Sequence, residues 1–269
     1  MLLAFTLGTL LGSFVNVLIL RIPKGQSVVF GASHCRSCLK TLKPWHNIPL
    51  FSWVFLRAKC SYCESSISLQ YPLIELISGL IFLLLASKYT LSFPLLLVGM
   101  SFLMLLALSI IDFKYKMVPD SLNLLAIFFA IFGAWNLDGV FINFQNALLF
   151  AGAFTLLRFA LSYYLTSKIY RATLKTKTSW NTHYDRTPFI EAMGEGDIMV
   201  AATMGALLGA KLALVAIFLS AVLALPVMLV MLKKSAEQQR VPYVPFLAVA
   251  TLIVYIYDSP ILSYIEVNY

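Results

Sequence analysis

The chain has 269 residues, of which 60% are apolar and 12% charged, whereas a soluble domain carries about a quarter charged residues. That balance excludes a water-soluble monomer, a disordered chain and a coiled coil, and several apolar runs approach the roughly 20 residues needed to cross a bilayer. The formal net charge of +8 is first a matter of topology, because lysine and arginine collect in the cytosolic loops of membrane proteins.

Apolar runs cover residues 2–20, 72–87, 91–111, 118–135, 141–165, 198–210, 212–232 and 243–257, which predicts an all-α polytopic membrane protein with about eight transmembrane helices. The first run begins without a basic segment, lacks a cleavage site and is followed by Arg21, so it reads as an anchor with its N-terminus outside and not as a signal peptide. Its Gly8-x-x-x-Gly12 pattern suits close helix packing. The sixth run is short, as a tilted, broken or re-entrant helix would be. With the first run entering from outside, every Lys and Arg except Lys88, Arg158 and Lys211 falls in an inside loop. Both chain ends are then expected outside, and the excess positive charge is a topogenic signal. No nucleic-acid partner is expected, since no basic patch is interleaved with stacking aromatics.

Two inside segments are long enough to do more than connect helices. Residues 167–196 are polar and show no apolar periodicity, so a flexible loop is expected there. Residues 21–71 hold all four cysteines, as Cys35-Arg-Ser-Cys38 and Cys60-Ser-Tyr-Cys63. Two C-x-x-C turns at this separation match a four-thiolate zinc ribbon, a tetrahedral site closed to substrate and therefore structural. In the cytosol thiols stay reduced, which favours Zn2+ over two disulfides or free thiols. His34 and His46 lie nearby as alternate ligands or as ordinary surface histidines. The segment is too small to build much core, so metal would supply much of its folding energy.

Five acidic residues lie at the edges of apolar runs: Glu75, Asp112, Asp120, Glu195 and Asp197. Ionisable groups there are costly to bury and are candidates for function. Asp120 follows Pro119 and precedes an apolar helix, where an N-cap Asp belongs. Asp112 closes a helix, at the dipole end that repels a carboxylate, unless Lys114 supplies a countercharge. Asp197 stands in Gly194-Glu-Gly196-Asp197, where it is either an ordinary cap or, with two glycines permitting close backbone approach, part of a site. Asp112 and Asp197 together are two carboxylates from different helices at one membrane depth. Held around a water, such a pair shares a proton, one member acting as base and the other as acid. No G-x-S-x-G, H-E-x-x-H or Walker loop is present, no Rossmann fingerprint appears, and His34, His46 and His183 are the only imidazole bases available.

Several elements coincide with one family: Gly12-Ser-Phe14-Val-Asn16-Val with Arg21-Ile-Pro23, the paired C-x-x-C turns, Tyr71-Pro72-x-x-Glu75, Asp112 with the following Val-Pro119-Asp120, and Gly194-x-Gly196-Asp197. In these residues, which span nearly the whole chain in the family's order, the sequence resembles the bacterial type IV prepilin peptidases, bifunctional leader peptidases and N-methyltransferases with a GxGD-type aspartic site. The resemblance implies cleavage of the basic leader of prepilins or pseudopilins after a glycine, at the cytosolic face of the bacterial inner membrane, followed by methylation of the new N-terminus. It implies Asp112 and Asp197 as the catalytic pair, with Asp120, Gly194, Gly196 and Glu75 in support. S-adenosyl-L-methionine is the implied methyl donor, with Gly12, Asn16, Arg21 and Pro23 as the candidate region. The implied organisation is a first transmembrane helix at 1–20, a cytosolic four-cysteine zinc domain at 21–71 and a transmembrane peptidase domain at 72–269 with a cytosolic loop at about 167–196.

Two features depart from the family. Met199 stands where a Lys usually follows the second aspartate, and the 167–196 segment is longer than usual. A presenilin-type protease also uses G-x-G-D but lacks a reason for the cysteine turns. A cation transporter with a regulatory zinc module would use the same carboxylates without cutting a peptide bond. A dyad needing one protonated and one ionised carboxyl predicts a bell-shaped pH profile.

Overall fold

The computed structural model describes residues 1–31, 33–89, 92–134, 139–176, 191, 193–231 and 241–268. Nine α-helices are found among them: α1 (Leu2–Arg21), α2 (Phe51–Phe55), α3 (Gln70–Leu85), α4 (Phe93–Tyr115), α5 (Asp120–Gly133), α6 (Val140–Thr176), α7 (Glu195–Met231), α8 (Val244–Ile256) and α9 (Asp258–Asn268). No strand occurs among the described residues, which hold only two isolated bridges, His34 to Thr41 and Lys59 to Ser66.

Among the described residues each apolar run contains a helix, but eight crossings do not emerge from helix length. Four helices are long and apolar enough to cross a membrane (α1, α4, α6 and α7), or five if the bent pair α8 and α9 counts as one. The shortfall has a geometric cause. At 1.5 Å per residue, α3 and α5 reach only about 24 and 21 Å, short of a hydrocarbon core of about 30 Å. The sixth and seventh runs, moreover, join in the single element α7, broken at Gly209 (φ 70°, ψ 176°). The hydroxyl contact of Ser220 with Tyr243 (2.9 Å) brings the second half of α7 back toward the end where its first half began. The expected loop at 167–196 also begins later than its polarity suggests, because α6 continues to Thr176. Residues 177–190 and 192 of that loop, His183 among them, lie outside the described residues.

Small residues set the packing. A Cβ on Gly8 would meet the Ser78 carbonyl at 2.5 Å, and one on Gly12 would meet the Ser78 side chain at 2.6 Å. The Gly-x-x-x-Gly face therefore lets the backbones of α1 and α3 approach, as its spacing suggested. Asn16 Nδ2 donates to the Tyr71 carbonyl at 3.2 Å, which sets the end of α1 beside the start of α3. The core runs through α4 and the first half of α7, where Leu103, Leu105, Leu108, Ile111 and Met204 are fully buried. At the far end, Lys88 pairs with Asp258 at 2.5 Å, and Tyr89 meets the Tyr255 hydroxyl at 2.6 Å.

Candidate active site

The opposite end of the bundle gathers the carboxylates. Helix α4 stops after Tyr115 because Lys116 turns left-handed (φ 52°) and returns its N–H to the Asp112 carbonyl at 2.9 Å. Asp112 is left on the last turn, only 7% exposed. Its carboxylate sits at the negative end of its own helix dipole, and the compensation comes from another helix. The Val244 N–H at the start of α8 donates to Asp112 Oδ2 at 3.2 Å, and the Tyr243 N–H hydrogen-bonds the same carboxylate. A helix N-terminus with free amides thus neutralises what α4 opposes. Lys114, the alternative partner, instead donates to Gln70 Oε1 on α3, and no cation pairs with Asp112 among the described residues.

Asp197 lies at the third position of α7, and its carboxylate accepts the Gly194 N–H. This is the backward half of a capping box, in which a residue three places into the helix satisfies a free amide at its start. The cap and the site are therefore not alternatives, because one side chain serves as both. Asp197 also lies near enough to Asp112 for the two charges to act on one another. The glycines of the motif differ in purpose. A Cβ on Gly196 would collide with the Val118 side chain, so the connector between α4 and α5 packs against the first turn of α7 only because that position is bare. A Cβ on Gly194 would meet nothing nearer than Asp197 Oδ2 at 3.6 Å, so packing does not demand glycine there.

The other expected residues take different places. Asp120 is exposed at the first position of α5 and makes no side-chain cap. Glu75 is buried on α3, accepts the Leu50 N–H at 2.8 Å and is hydrogen-bonded by Ser13 of α1. It ties the cysteine segment to the bundle and does not join the Asp112 and Asp197 pair. Met199 is half-buried two positions beyond Asp197.

Two further residues go unassigned when the apolar runs are read one by one. Arg158 of α6 binds Glu195 Oε1 at 3.0 Å and Glu191 Oε1 at 3.2 Å, holding both sides of the Gly-x-Gly-Asp turn. A cation within an apolar run is the clue that points to it. Asn123, one turn beyond Asp120, is fully buried with neither side-chain polar atom hydrogen-bonded.

The four cysteines form two equivalent knuckles. Cys35 N–H donates to the Lys40 carbonyl and Cys60 N–H to the Ser65 carbonyl, and Leu39 (φ 58°) and Glu64 (φ 55°) turn left-handed at matching positions. The four Sγ atoms lie within 4.8 Å of one another, a group that can hold a metal ion, and neither His34 nor His46 belongs to it. All four are free thiols, with Cys35 and Cys63 Sγ 3.8 Å apart. Tetrahedral thiolates at a metal–sulfur distance of about 2.3 Å stand about 3.8 Å apart, so the donor set fits. The Cys35 thiol is pulled down to about 6, chiefly by the main-chain N–H groups of Cys38 and Ser37. At Cys38 the Lys40 N–H pulls downward, but desolvation and the Cys63 and Cys35 sulfurs outweigh it and push the thiol up to about 11.

The candidate methyl-donor residues do not form an open cradle. Gly12 abuts Ser78, Asn16 is buried with its amide on main-chain carbonyls, and Arg21 wraps the carbonyls of Ser27, Phe30 and Gly31. Pro23 sits in the short 3-10 turn that follows α1. Asn16 Oδ1 and Ser78 Oγ are left buried without a partner, but the space around Gly12 is already filled.

Residues 6–89 match the family described as the bacterial peptidase A24 N-terminal domain, and residues 97–229 match the type IV leader peptidase family. A prepilin leader peptidase/N-methyltransferase of Neisseria gonorrhoeae is 33% identical over 94% of this chain and 89% of its own length. Proteins of the same name from Stutzerimonas stutzeri and Bacillus subtilis are 31% and 26% identical, over 98% and 97% of this chain and 93% and 95% of theirs. No solved structure matches the chain.

Proposed function

The chain belongs to the type IV leader peptidase family, and on that premise we propose Asp112 and Asp197 as the dyad that hydrolyses the leader bond of a prepilin or pseudopilin. Family membership carries two activities, cleavage of the prepilin leader and N-methylation of the new N-terminus. The observation that carries the assignment of residues is the meeting of two carboxylates from different helices, on the last turn of α4 and the first turn of α7, near enough to feel each other's charge.

The chemistry follows from that pairing. One ionised carboxylate takes a proton from water as its oxygen attacks the scissile carbonyl, while the other carboxyl gives its proton to the carbonyl oxygen. Collapse of the tetrahedral intermediate returns a proton to the departing amide nitrogen and frees the new N-terminus. The Val244 and Gly194 amides each hold one aspartate at fixed geometry, which positions the dyad without a metal ligand. A prepilin is an apolar helix preceded by a basic leader, so its scissile bond lies at the membrane face, the level at which helices α4 and α7 end and begin.

The distribution of Lys and Arg supports placing this end, with the cysteine segment, in the cytosol of an inner-membrane protein crossing eight times. On that reading residues 1–20 are an anchor, 21–71 a structural Zn2+ domain held by Cys35, Cys38, Cys60 and Cys63, and 72–269 the peptidase domain. S-adenosyl-L-methionine supplies the methyl group for the second activity. Because Gly12, Asn16, Arg21 and Pro23 pack as structural residues, no step of that transfer is assigned to them.

The test is cleavage of a leader-bearing prepilin by purified protein in detergent. Asp112→Asn and Asp197→Asn are each expected to lose at least about 10³-fold in turnover, with an unchanged melting profile. If both variants still cut, the aspartate dyad is wrong. A product that gains no methyl mass with donor present removes the second activity.

A further inference from the structure

The cysteine segment carries an apolar surface that nothing in the described chain covers. On α2, Phe51 is 65% exposed, Val54 66% and Phe55 81%, and the i, i+3, i+4 spacing puts all three on one face. Trp45 and Ile48 are also exposed, and with Phe51, Phe55 and Leu56 they line a single open groove of ≈ 440 Å³. In water such a patch is an aggregation liability.

The depth of this patch says what covers it. Leu50 directly precedes α2, and its N–H is held by Glu75 Oε2 at 2.8 Å. Glu75 is the sixth residue of α3, about 7.5 Å along the helix axis from its start, between the exposed leucines Leu73 and Leu76. Helix α2 therefore begins beside the second turn of an apolar helix, on a stretch of chain bounded by α1 and α3. Its rim is basic: Lys43 Nζ lies 5.2 Å from the Trp45 ring, and Arg57 and Lys59 follow α2 at the surface. Exposed aromatic and aliphatic side chains with lysine and arginine beside them match the boundary between acyl chains and anionic headgroups.

We propose that Trp45 and α2 form an interfacial membrane anchor, inserting Phe51, Val54 and Phe55 at the acyl boundary with Lys43, Arg57 and Lys59 against lipid phosphates. The occupant is lipid and not the leader of a substrate, because a basic leader would be repelled by that rim. The anchor holds the cysteine segment flat on the bilayer independently of the aspartate dyad.

The experiment uses full-length protein in lipid nanodiscs, with Trp53, Trp135 and Trp180 replaced by Phe so that Trp45 alone emits. With lipids brominated near the carbonyl end of the acyl chain, Trp45 is expected to lose most of its emission, more so when phosphatidylglycerol is present. The combined Phe51→Ser, Val54→Ser, Phe55→Ser variant is expected to restore it. Trp45 emission indifferent to brominated lipid overturns the anchor, as does quenching that is the same in the triple-Ser variant. Emission untouched by lipid but quenched by a brominated apolar helical peptide would make the groove a substrate site instead. Prepilin cleavage in detergent, measured on the same variants, reports separately on the dyad, and a Trp53-only protein serves as an internal control because the Trp53 indole donates inward to the Ile67 carbonyl at 3.3 Å.

Discussion

The cysteine segment and the helix bundle are ordered by opposite means. Between Gly25 and Leu69 the described residues bury almost nothing beyond Pro49 and Cys60, and two main-chain knuckles bring four sulfurs together. The bundle instead packs an apolar core through α3, α4, α5, α7 and α8, and holds the buried carboxylates of Asp112 and Glu75 on main-chain amides from elsewhere in the chain. A short polar chain can be organised by a few strong ligands, whereas helices in a membrane are organised by shape. Each half should therefore fail in its own way.

The largest effect belongs to the bundle: Asp112→Asn and Asp197→Asn abolish cleavage while leaving the cysteine segment as protease-resistant as in wild type. Metal removal should do the reverse. Apparent binding energies of about 10–16 kcal/mol for structural zinc in small folds mean that a chelator, or Cys38→Ser, opens residues 30–69 to proteolysis while the bundle keeps its helical circular dichroism. This loss depends on pH. A thiol pulled down to about 6 contributes stability above its unfolded value of 9.0 that declines as pH falls and is gone below about 6. In the metal-bound form protons compete with the ion for all four thiolates, so metal release, followed with a colorimetric chelator, should increase as pH falls. If release is flat from pH 8 to 5, thiolate ligation of the metal is wrong.

Gly196→Ala should cost about 1–3 kcal/mol of bundle stability by overpacking against Val118, and Val118→Ala in the same chain should recover part of it in a thermal unfolding measurement. Arg158→Gln should lower cleavage by a few-fold, since ion pairs open to solvent are worth about 1 kcal/mol or less, with Arg158→Lys intermediate. The smallest shift is expected at Asn123, where Leu replaces a buried amide with unmade hydrogen bonds. The melting temperature should rise slightly, because relieving an unsatisfied buried polar group recovers part of a cost of about 1–3 kcal/mol.

Spacing in the sequence is enough to read the two cysteine turns and a close-packing face on α1, and the ends of the apolar runs are enough to single out Asp112 and Asp197, because each depends on residue types at short intervals or on position at a run's edge. The partner of Asp112 was not readable. Val244 offers a main-chain amide 132 positions away, and backbone donors leave no mark in composition; the Pro245 that opens α8 is the nearest hint of a free helix start. Lys114 looked like a countercharge by proximity, yet long side chains reach across helices, and it binds Gln70. The extent of α6 was hidden by the polarity of residues 167–176, which report solvent and not backbone conformation. Helix length alone supports four or five crossings and not the eight read from apolar runs, because apolar length does not say whether a run stands alone or is half of a broken element.

That broken element has a consequence for how the chain fits the membrane. At Gly209 the backbone adopts a φ and ψ open essentially to glycine alone, and the two arms of α7 reverse with no loop between them. Straightened, the 37 residues would extend about 55 Å, nearly twice the hydrocarbon thickness. Held as one straight helix the stretch would overrun the membrane, and the break at Gly209, two residues before Lys211, divides it into two shorter arms. Glycine at 209 is what lets two apolar arms share one element without a connecting loop.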